Sequence, residues 1–214
     1  FRGCWEIGRD EAVMSELCET LRAHKNSLRE LTLAWCFITS KGAKKLAEAI
    51  GDCSSLQRLE LKENQIGKEE AEQLKEALKQ CRQLRSFDMS GNRGDDGRPL
   101  LDAEAALSLF EAFKSFPSLV YVNLKNSIKE PLLDMSEKAQ LAIAKVFFTS
   151  TTLRIAGLDV LSGDGDRTVE RRDAAPLCQS ALLQHFSGCK VPKDLAQFLI
   201  RDGAFGWMHS LEEL

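Results

Sequence analysis

The sequence has few histidines, little proline and no long hydrophobic run. The apolar stretches 141–144 and 146–148 are separated by Lys145, so neither approaches the roughly 20 residues of a membrane-spanning helix. Acidic residues (32) slightly outnumber Lys and Arg (29), and both signs are mixed along the chain. Binding to nucleic acid favours a strongly basic surface. We therefore expect no transmembrane segment and no nucleic-acid partner.

The seven cysteines do not form a compact spacing pattern, and their number is odd. This argues against a disulfide framework and favours small buried side chains in a reducing compartment, either cytoplasm or the interior of an organelle. The chain begins at Phe1, without Met or a signal-like segment. We therefore expect that it is processed or part of a longer polypeptide, with any targeting segment outside view.

A leucine pattern typical of a half-buried strand returns with a fixed period. It begins at Leu28, Leu56 and Leu84, 28 residues apart, and looser copies begin at Leu119 and Leu153 after 35 and 34 residues. Cys or Asn follows each of the first three copies, at positions 36, 64 and 92. A pattern that returns at a fixed period of this length predicts a repeat architecture in which neighbouring units stack.

Amphipathic helices are predicted between the strand patterns. Segments 43–50 and 71–78 each place alanine and leucine or isoleucine on one face, with lysine and glutamate opposite. Further helices fit segments 103–116, 137–148 and 174–186. The phenylalanines at 110, 113, 116, 147 and 148 are predicted to lie mostly in the core, with one or two left for a docking site.

Segments 28–49 and 56–77 resemble leucine-rich repeat proteins of the ribonuclease-inhibitor-like subtype. The resemblance implies an α/β fold, a right-handed horseshoe-shaped solenoid of about five repeats. Parallel strands would line its concave side, and helices its convex side. It also implies that Cys36, Asn64 and Asn92 hydrogen-bond exposed loop backbone where the chain leaves each strand.

The repeat pattern divides the chain into three parts. Residues 1–27 are predicted to be a partial N-terminal repeat, and 191–214 a C-terminal capping segment. Residues 28–190 are the repeats, with insertions near 91–101, 126–136 and 162–173. Phe1 aligns with Leu33 and Leu61, so we expect upstream residues or a partner to cover an apolar solenoid end.

The outward strand positions and the residues at the strand exits are the candidate binding residues. Strand alternation predicts that Thr32 and Ala34 also face outward. Charged residues here would set specificity and aromatic residues would anchor a protein partner; the alternative is a merely solvated sheet face. The candidate residues are Glu30, Trp35, Phe37, Arg58, Glu60, Lys62, Asp88, Tyr121 and Lys125.

The remaining motifs do not predict a chemical site. The spacing of Cys178, His185 and Cys189 differs from zinc sites, and the acidic residues of 162–173 do not follow a calcium loop. The tripeptide Arg93-Gly94-Asp95 is of the integrin-binding type, but such triplets arise by chance. We expect no catalytic residues, metal, cofactor or small-molecule substrate.

The most economical interpretation is a non-catalytic protein–protein interaction module. It would act as a scaffold or a subunit of a multi-subunit assembly, binding through the concave face, the inserted loops or the exposed ends. Two alternatives stay open. Ran-type GTPase-activating proteins have the same repeat subtype, and such repeats also form the sensor domain of larger nucleotide-binding receptors.

Overall fold

The computed structural model describes residues 2–130, Ser136, Ala139 and two short strands at 155–157 and 168–170, the strands as backbone. The predicted helices 137–148 and 174–186 lie outside the described residues, apart from Ala139. So do the capping segment 191–214 and the Cys178, His185 and Cys189 motif. Within the described part, none of the helices is both long and apolar enough to cross a membrane.

Short strands alternate with helices along the described chain. The order is α1 (Glu6–Arg9), α2 (Glu11–Ala23), β1 (Glu30–Thr32), α3 (Ser40–Gly51), β2 (Arg58–Glu60), α4 (Lys68–Leu78), β3 (Ser86–Asp88), α5 (Ala103–Phe113), β4 (Tyr121–Asn123), β5 (Ile155–Gly157) and β6 (Thr168–Glu170). The first four strands begin two residues after the leucines that open the sequence repeats. The predicted alternation of strand and helix is therefore confirmed over the first three units, while the helix predicted after β4 lies outside the described residues.

The strands form one sheet in sequence order, β1 to β6. The first five are parallel, and the register places Glu30 beside Arg58, then Ser86, then Tyr121. This parallel sheet fits the predicted solenoid. The last strand, β6, lies within the insertion predicted at 162–173 and pairs antiparallel with β5, so the sheet is not parallel throughout.

The core lies between the sheet and the helices. Alternate strand residues such as Leu31, Leu59 and Phe87 are buried, as are the apolar faces of α3, α4 and α5. Phe113 packs edge-to-face against Phe87, with ring centroids 5.8 Å apart, and contacts two further buried phenylalanines in the same way. Aromatic pairs of this geometry stabilise a core beyond the area they bury. Phe110 and Phe113 of α5, and Phe116 just after it, therefore belong to the core.

The side chain of Asn64 joins two neighbouring repeats. Its Oδ1 accepts hydrogen bonds from the backbone N–H groups of Cys36 and Ile38, each at 3.1 Å. Its Nδ2 donates to the carbonyls of Leu33 (2.8 Å) and Leu61 (2.9 Å). Asn64 is itself buried, so the backbone groups it satisfies are in the interior and not in an exposed loop.

Asn92 repeats this arrangement one unit later. Its Oδ1 accepts from the N–H of Ile66 at 3.0 Å, and its Nδ2 donates to the carbonyls of Leu61 and Met89. In the next unit Ser127 takes the position: its hydroxyl donates to Met89 and accepts from the backbone N–H of Asn92. We call the residues Cys36, Asn64, Asn92 and Ser127 the polar ladder.

The residue before each ladder position has a left-handed backbone. The φ angles are +60° at Trp35, +56° at Glu63, +68° at Gly91 and +58° at Asn126. Gly91 is additionally constrained by contact, because a Cβ there would lie 2.3 Å from the carboxylate of Glu63. The same tight bend therefore turns the chain out of each strand, whatever side chain occupies it.

Replacing Asn64 with alanine should lower the free energy of unfolding by about 3 kcal/mol, because several buried backbone groups lose their partners together. The measurement is urea unfolding, compared with Asn26→Ala at an exposed position. We expect the control to change stability by less than about 0.5 kcal/mol. Similar losses in both variants would show that the ladder does not stabilise the array.

Candidate protein-binding face

The face of the sheet opposite the helices carries two rows of side chains in register. Row one, from the starts of β1–β4, contains Glu30, Arg58, Ser86 and Tyr121. Row two, from their ends, contains Thr32, Glu60, Asp88 and Asn123. Glu30 and Arg58 are exposed, and the remaining members are half-buried. The structure thus brings the strand residues predicted for binding onto one continuous surface.

Glu60 is the most strongly paired acid of row two. Its carboxylate lies 3.1 Å from the guanidinium of Arg2 and 3.1 Å from the Nζ of Lys62, and the hydroxyl of Thr32 donates to it at 3.4 Å. Its partial burial opposes ionisation, but the hydrogen bonds from Lys62 and Arg2 outweigh that effect. The pKa of Glu60 is therefore lower than its ordinary value.

Asp88 is the next acid along row two. One oxygen accepts from the hydroxyl and the backbone N–H of Ser90, and the other accepts from the side-chain amide of Asn123 at 3.1 Å. Burial raises the pKa of the neighbouring Tyr121, and the charge of Asp88 raises it further. Tyr121 consequently stays a neutral hydrogen-bonding group on this face at physiological pH.

Ala34 does not face outward as strand alternation predicts. It is fully buried, because the N-terminal segment lies alongside it: Arg2 pairs with Ala34, and the N–H of Gly3 donates to its carbonyl at 2.9 Å. The same pairing places the side chain of Arg2 beside the carboxylate of Glu60. Sequence reasoning missed Arg2 as a member of this face, although aligning Phe1 with Leu33 contained the signal.

Lys62 and Lys125 lie just beyond the ends of their strands. The side chain of Lys62 is a third exposed, and it points to Glu60. The backbone N–H of Lys125 donates to the side chain of Asn123 at 3.1 Å. Both lysines therefore border row two on the side where the chain turns towards the helices.

Trp35 and Phe37 lie in the loop that follows β1. Both have left-handed backbones, and their side chains are 56% and 41% exposed. The guanidinium of Arg9 lies 4.6 Å from the ring centroid of Phe37 and 5.5 Å from that of Trp5. Sequence reasoning missed Trp5 and Arg9, because they belong to a short helix outside the repeat. The exposed aromatic side chains of Trp5, Trp35 and Phe37 therefore lie at the rim of the face.

The inserted loop at 91–101 is a small hairpin in which Arg93 pairs with Pro99. The side chain of Asp95 accepts a hydrogen bond from Gln65, and the guanidinium of Arg93 donates to the carbonyl of Gly97 at 3.5 Å. Both charged residues of the integrin-type tripeptide are thus bound to their own surroundings.

The described cysteines are free thiols. Burial raises the pKa of Cys18, Cys36 and Cys53, and raises that of Cys81 to about 12 with a smaller contribution from Cys53. Thiols of this kind are poor nucleophiles. In the part of the chain that the structure describes, no group of three or more His, Cys, Asp and Glu side chains could hold a metal ion.

Residues 24–47 and 52–72 match the family model described as Leucine Rich repeat. Both segments contain a strand and the start of the helix that follows it, and the matches support a leucine-rich repeat protein. No curated protein sequence matches the chain.

Two solved structures are similar to the chain. The actin-binding site 2 of leiomodin-1 superposes with a TM-score of 0.58 at 18% identity, over 79% of this chain and 90% of that one. The C-terminal domain of Caenorhabditis elegans tropomodulin gives 0.60 at 17% identity, over 80% and 95%. At these identities the similarity shows a shared fold.

Replacing Glu60 with glutamine should lower the free energy of unfolding by about 1 kcal/mol at pH 7. Because folding lowers the pKa of this carboxyl, its contribution is present above the ordinary value of 4.5 and is lost as the pH falls through the folded value. The stabilities of both proteins should therefore converge once the pH has fallen below the folded pKa of Glu60. Glu30→Gln, at the exposed row-one position, is the control; an equal effect there would contradict the role given to the Glu60 cluster.

Replacing Gly8 with alanine should separate α1 from the loop after β1. The Gly8 N–H donates to the carbonyl of Cys36 at 3.0 Å, and an added Cβ would lie 2.0 Å from the carbonyl oxygen of Phe37. We expect a loss of at least about 2 kcal/mol, with a shift in tryptophan emission. Gly51→Ala is the matched helical control, since its Cβ would meet Ala77 at an ordinary 3.6 Å. Unchanged stability of Gly8→Ala would contradict this packing.

Proposed function

We propose that this chain is a non-catalytic protein-interaction module of the ribonuclease-inhibitor-like repeat subtype. It binds a protein partner on the concave face formed by rows one and two, with Trp35, Phe37, Lys62 and Lys125 at the border. In this proposal the module serves as a scaffold or a subunit of a larger assembly, in a reducing intracellular compartment. The free thiols of the described cysteines are consistent with that setting.

The observation that carries the proposal is the ordered surface of the four strands. Arg58 and Tyr121 stand in register on row one, while hydrogen bonds from Arg2 to Glu60 and from Asn123 to Asp88 hold the two acids of row two. A surface whose side chains are already ordered loses little conformational entropy when a partner binds. Such a surface suits the recognition of a folded protein.

Two further observations support the proposal. The first three repeats are 28 residues apart, and each combines a parallel strand with a full helix, as in the ribonuclease-inhibitor-like subtype. The leiomodin-1 domain of similar fold is described as an actin-binding site. Actin is therefore the first defined protein to test as a partner.

The double variant Arg58→Glu/Tyr121→Ala should bind its protein partner more weakly than the wild-type chain does. Tagged wild-type and variant chains are incubated with native extract, and the bound proteins are quantified by mass spectrometry. We expect at least one partner to fall by roughly tenfold or more, because a charge reversal and the loss of an aromatic anchor act together. The control, Lys79→Glu/Gln73→Ala, combines a charge reversal with a truncation to alanine at exposed positions on α4 and at its C-terminal end.

Retention of every partner by the row-one variant would overturn the proposal that the concave face binds. Co-sedimentation with actin filaments tests that partner directly with the same two variants. A GTP-hydrolysis assay with purified Ran covers the activating alternative: acceleration by the wild-type chain would replace a plain interaction module with a GTPase-activating protein.

A further inference from the structure

A groove lies at the end of the repeat array, between α2 and the outer side of β1. We call it the end groove; it measures about 420 Å³. Its apolar lining consists of Ile7, Val13, Leu17, Leu21, Leu28 and Leu31. A second hollow, which also includes Val13, continues it past Trp5. The two together form a continuous surface along one side of α2.

Two apolar side chains of this surface, one in the adjoining hollow and one shared by both, are unusually accessible. Trp5 is 56% exposed and Val13 is 36% exposed, and both are among the exposed large apolar residues in the described part of the chain. Around the circumference of α2, Val13 lies between the buried Met14 and the exposed Glu16. Exposed apolar residues grouped in a concave site favour an interaction surface over isolated surface residues.

The rim of this surface is acidic. Glu16 and Glu30 line the end groove, and Glu6, Asp10 and Glu11 line the adjoining hollow. Asp10 also caps α2 by accepting hydrogen bonds from two backbone N–H groups. Acidic charge around an apolar floor favours a partner with the opposite charge.

The basic residues of the N-terminal segment point away from the end groove or are held in place. Arg2 is paired with Glu60 on the concave face, and Arg22 lies 3.7 Å from both Glu48 and Asp52. Arg9 borders the second hollow, where it stacks on Trp5 and Phe37. Two of the five rim acids have other partners, since Glu11 lies 2.8 Å from Lys45 and Glu30 lies 4.0 Å from Arg58. Within the described chain, the remaining acidic charge of the rim belongs to Glu6, Asp10 and Glu16.

The shape of the surface fits a helix. Val13, Glu16, Leu17 and Thr20 follow the i, i+3, i+4, i+7 spacing of one side of α2, and all four border the end groove. On its other side α2 packs against α3, and α3 packs against α4. A helix laid beside α2 would continue this layer by the same ridge-and-groove packing.

We propose that the end groove is a docking site for a basic amphipathic helix of a partner protein. The apolar stripe of that helix covers Val13 and Leu28, and its lysines or arginines face Glu6, Glu16 and Glu30. This site adjoins the concave face and shares Glu30 and Thr32 with it, but its apolar lining at Val13 and Leu28 lies outside rows one and two. It does not depend on the function proposed for that face.

The probe is a fluorescein-labelled peptide of about 18 residues, built from leucine and lysine with helical spacing. Anisotropy titration should show saturable one-to-one binding. Val13→Asp and Glu16→Lys should each weaken the affinity by roughly tenfold or more. The matched controls are Val120→Asp, similarly exposed but near β4, and Glu19→Lys, on α2 outside the groove lining. Both should bind like wild type.

The single concave-face variant Tyr121→Ala, at a row-one position outside the groove lining, should bind the peptide unchanged, which separates this proposal from the previous one. Circular dichroism and urea unfolding establish that each variant is folded, and Glu16→Lys tests the site at an exposed position even where Val13→Asp is destabilised. Absence of binding, or equal weakening by Glu19→Lys, would overturn the proposal.

Three further results would overturn the proposal of a basic helix in the end groove. Equal affinity for a leucine–glutamate peptide would remove the role of the acidic rim. Equal affinity for a leucine–lysine peptide with strictly alternating residues would indicate strand addition at β1. A concentration-dependent dimer that Val13→Asp dissociates, measured by sedimentation, would indicate a second copy of this chain.

Discussion

The fold depends on the hydrogen bonds that the amide of Asn64 makes to two repeats at once. A primary amide has two donor hydrogens and an acceptor oxygen, so it satisfies N–H and C=O groups of both chains in the same buried position. Each short strand has only three residues, which is too few for sheet hydrogen bonds alone to fix its register. The polar ladder fixes the bend after each strand, and the rows of the concave face inherit their alignment from it.

The side chains at the two ends of the polar ladder make weaker or fewer hydrogen bonds to the backbone than Asn64 at its centre. At Cys36 the thiol donates weakly to the carbonyl of Ala34, and at Ser127 a single hydroxyl serves one donor and one acceptor. These shorter side chains satisfy fewer backbone groups than Asn64. The hairpin at 91–101 includes Asn92 near its start, and the longer spacing of 35 residues separates Asn92 from Ser127, whose hydroxyl accepts from the backbone N–H of Asn92.

Sequence reasoning recovered the parts of the structure that repeat. Leu59 and Leu61 are buried and Arg58 is exposed because a period of 28 residues and a strand period of two determine both. It did not recover the burial of Ala34 or the pairing of Arg2 with Glu60, since these residues are 58 positions apart and meet only through the N-terminal segment. Sequence reasoning also did not predict the stacking of Arg9 between Trp5 and Phe37, for the same reason. Contacts made once, by residues outside the repeat, leave no periodic signal.

The two rows of the concave face differ in what they can offer a partner. Row two is half-buried, and Glu60 already faces Arg2 and Lys62, so a partner cation would compete with existing pairs and gain little net free energy. In row one, Arg58 lies 4.0 Å from Glu30 and both are exposed, so their mutual attraction is weak in water and easily exchanged. Tyr121 adds an aromatic surface with a polar tip in the same row. In the proposed interface, row two therefore orders the face, and row one is where a partner's side chains change the binding free energy most.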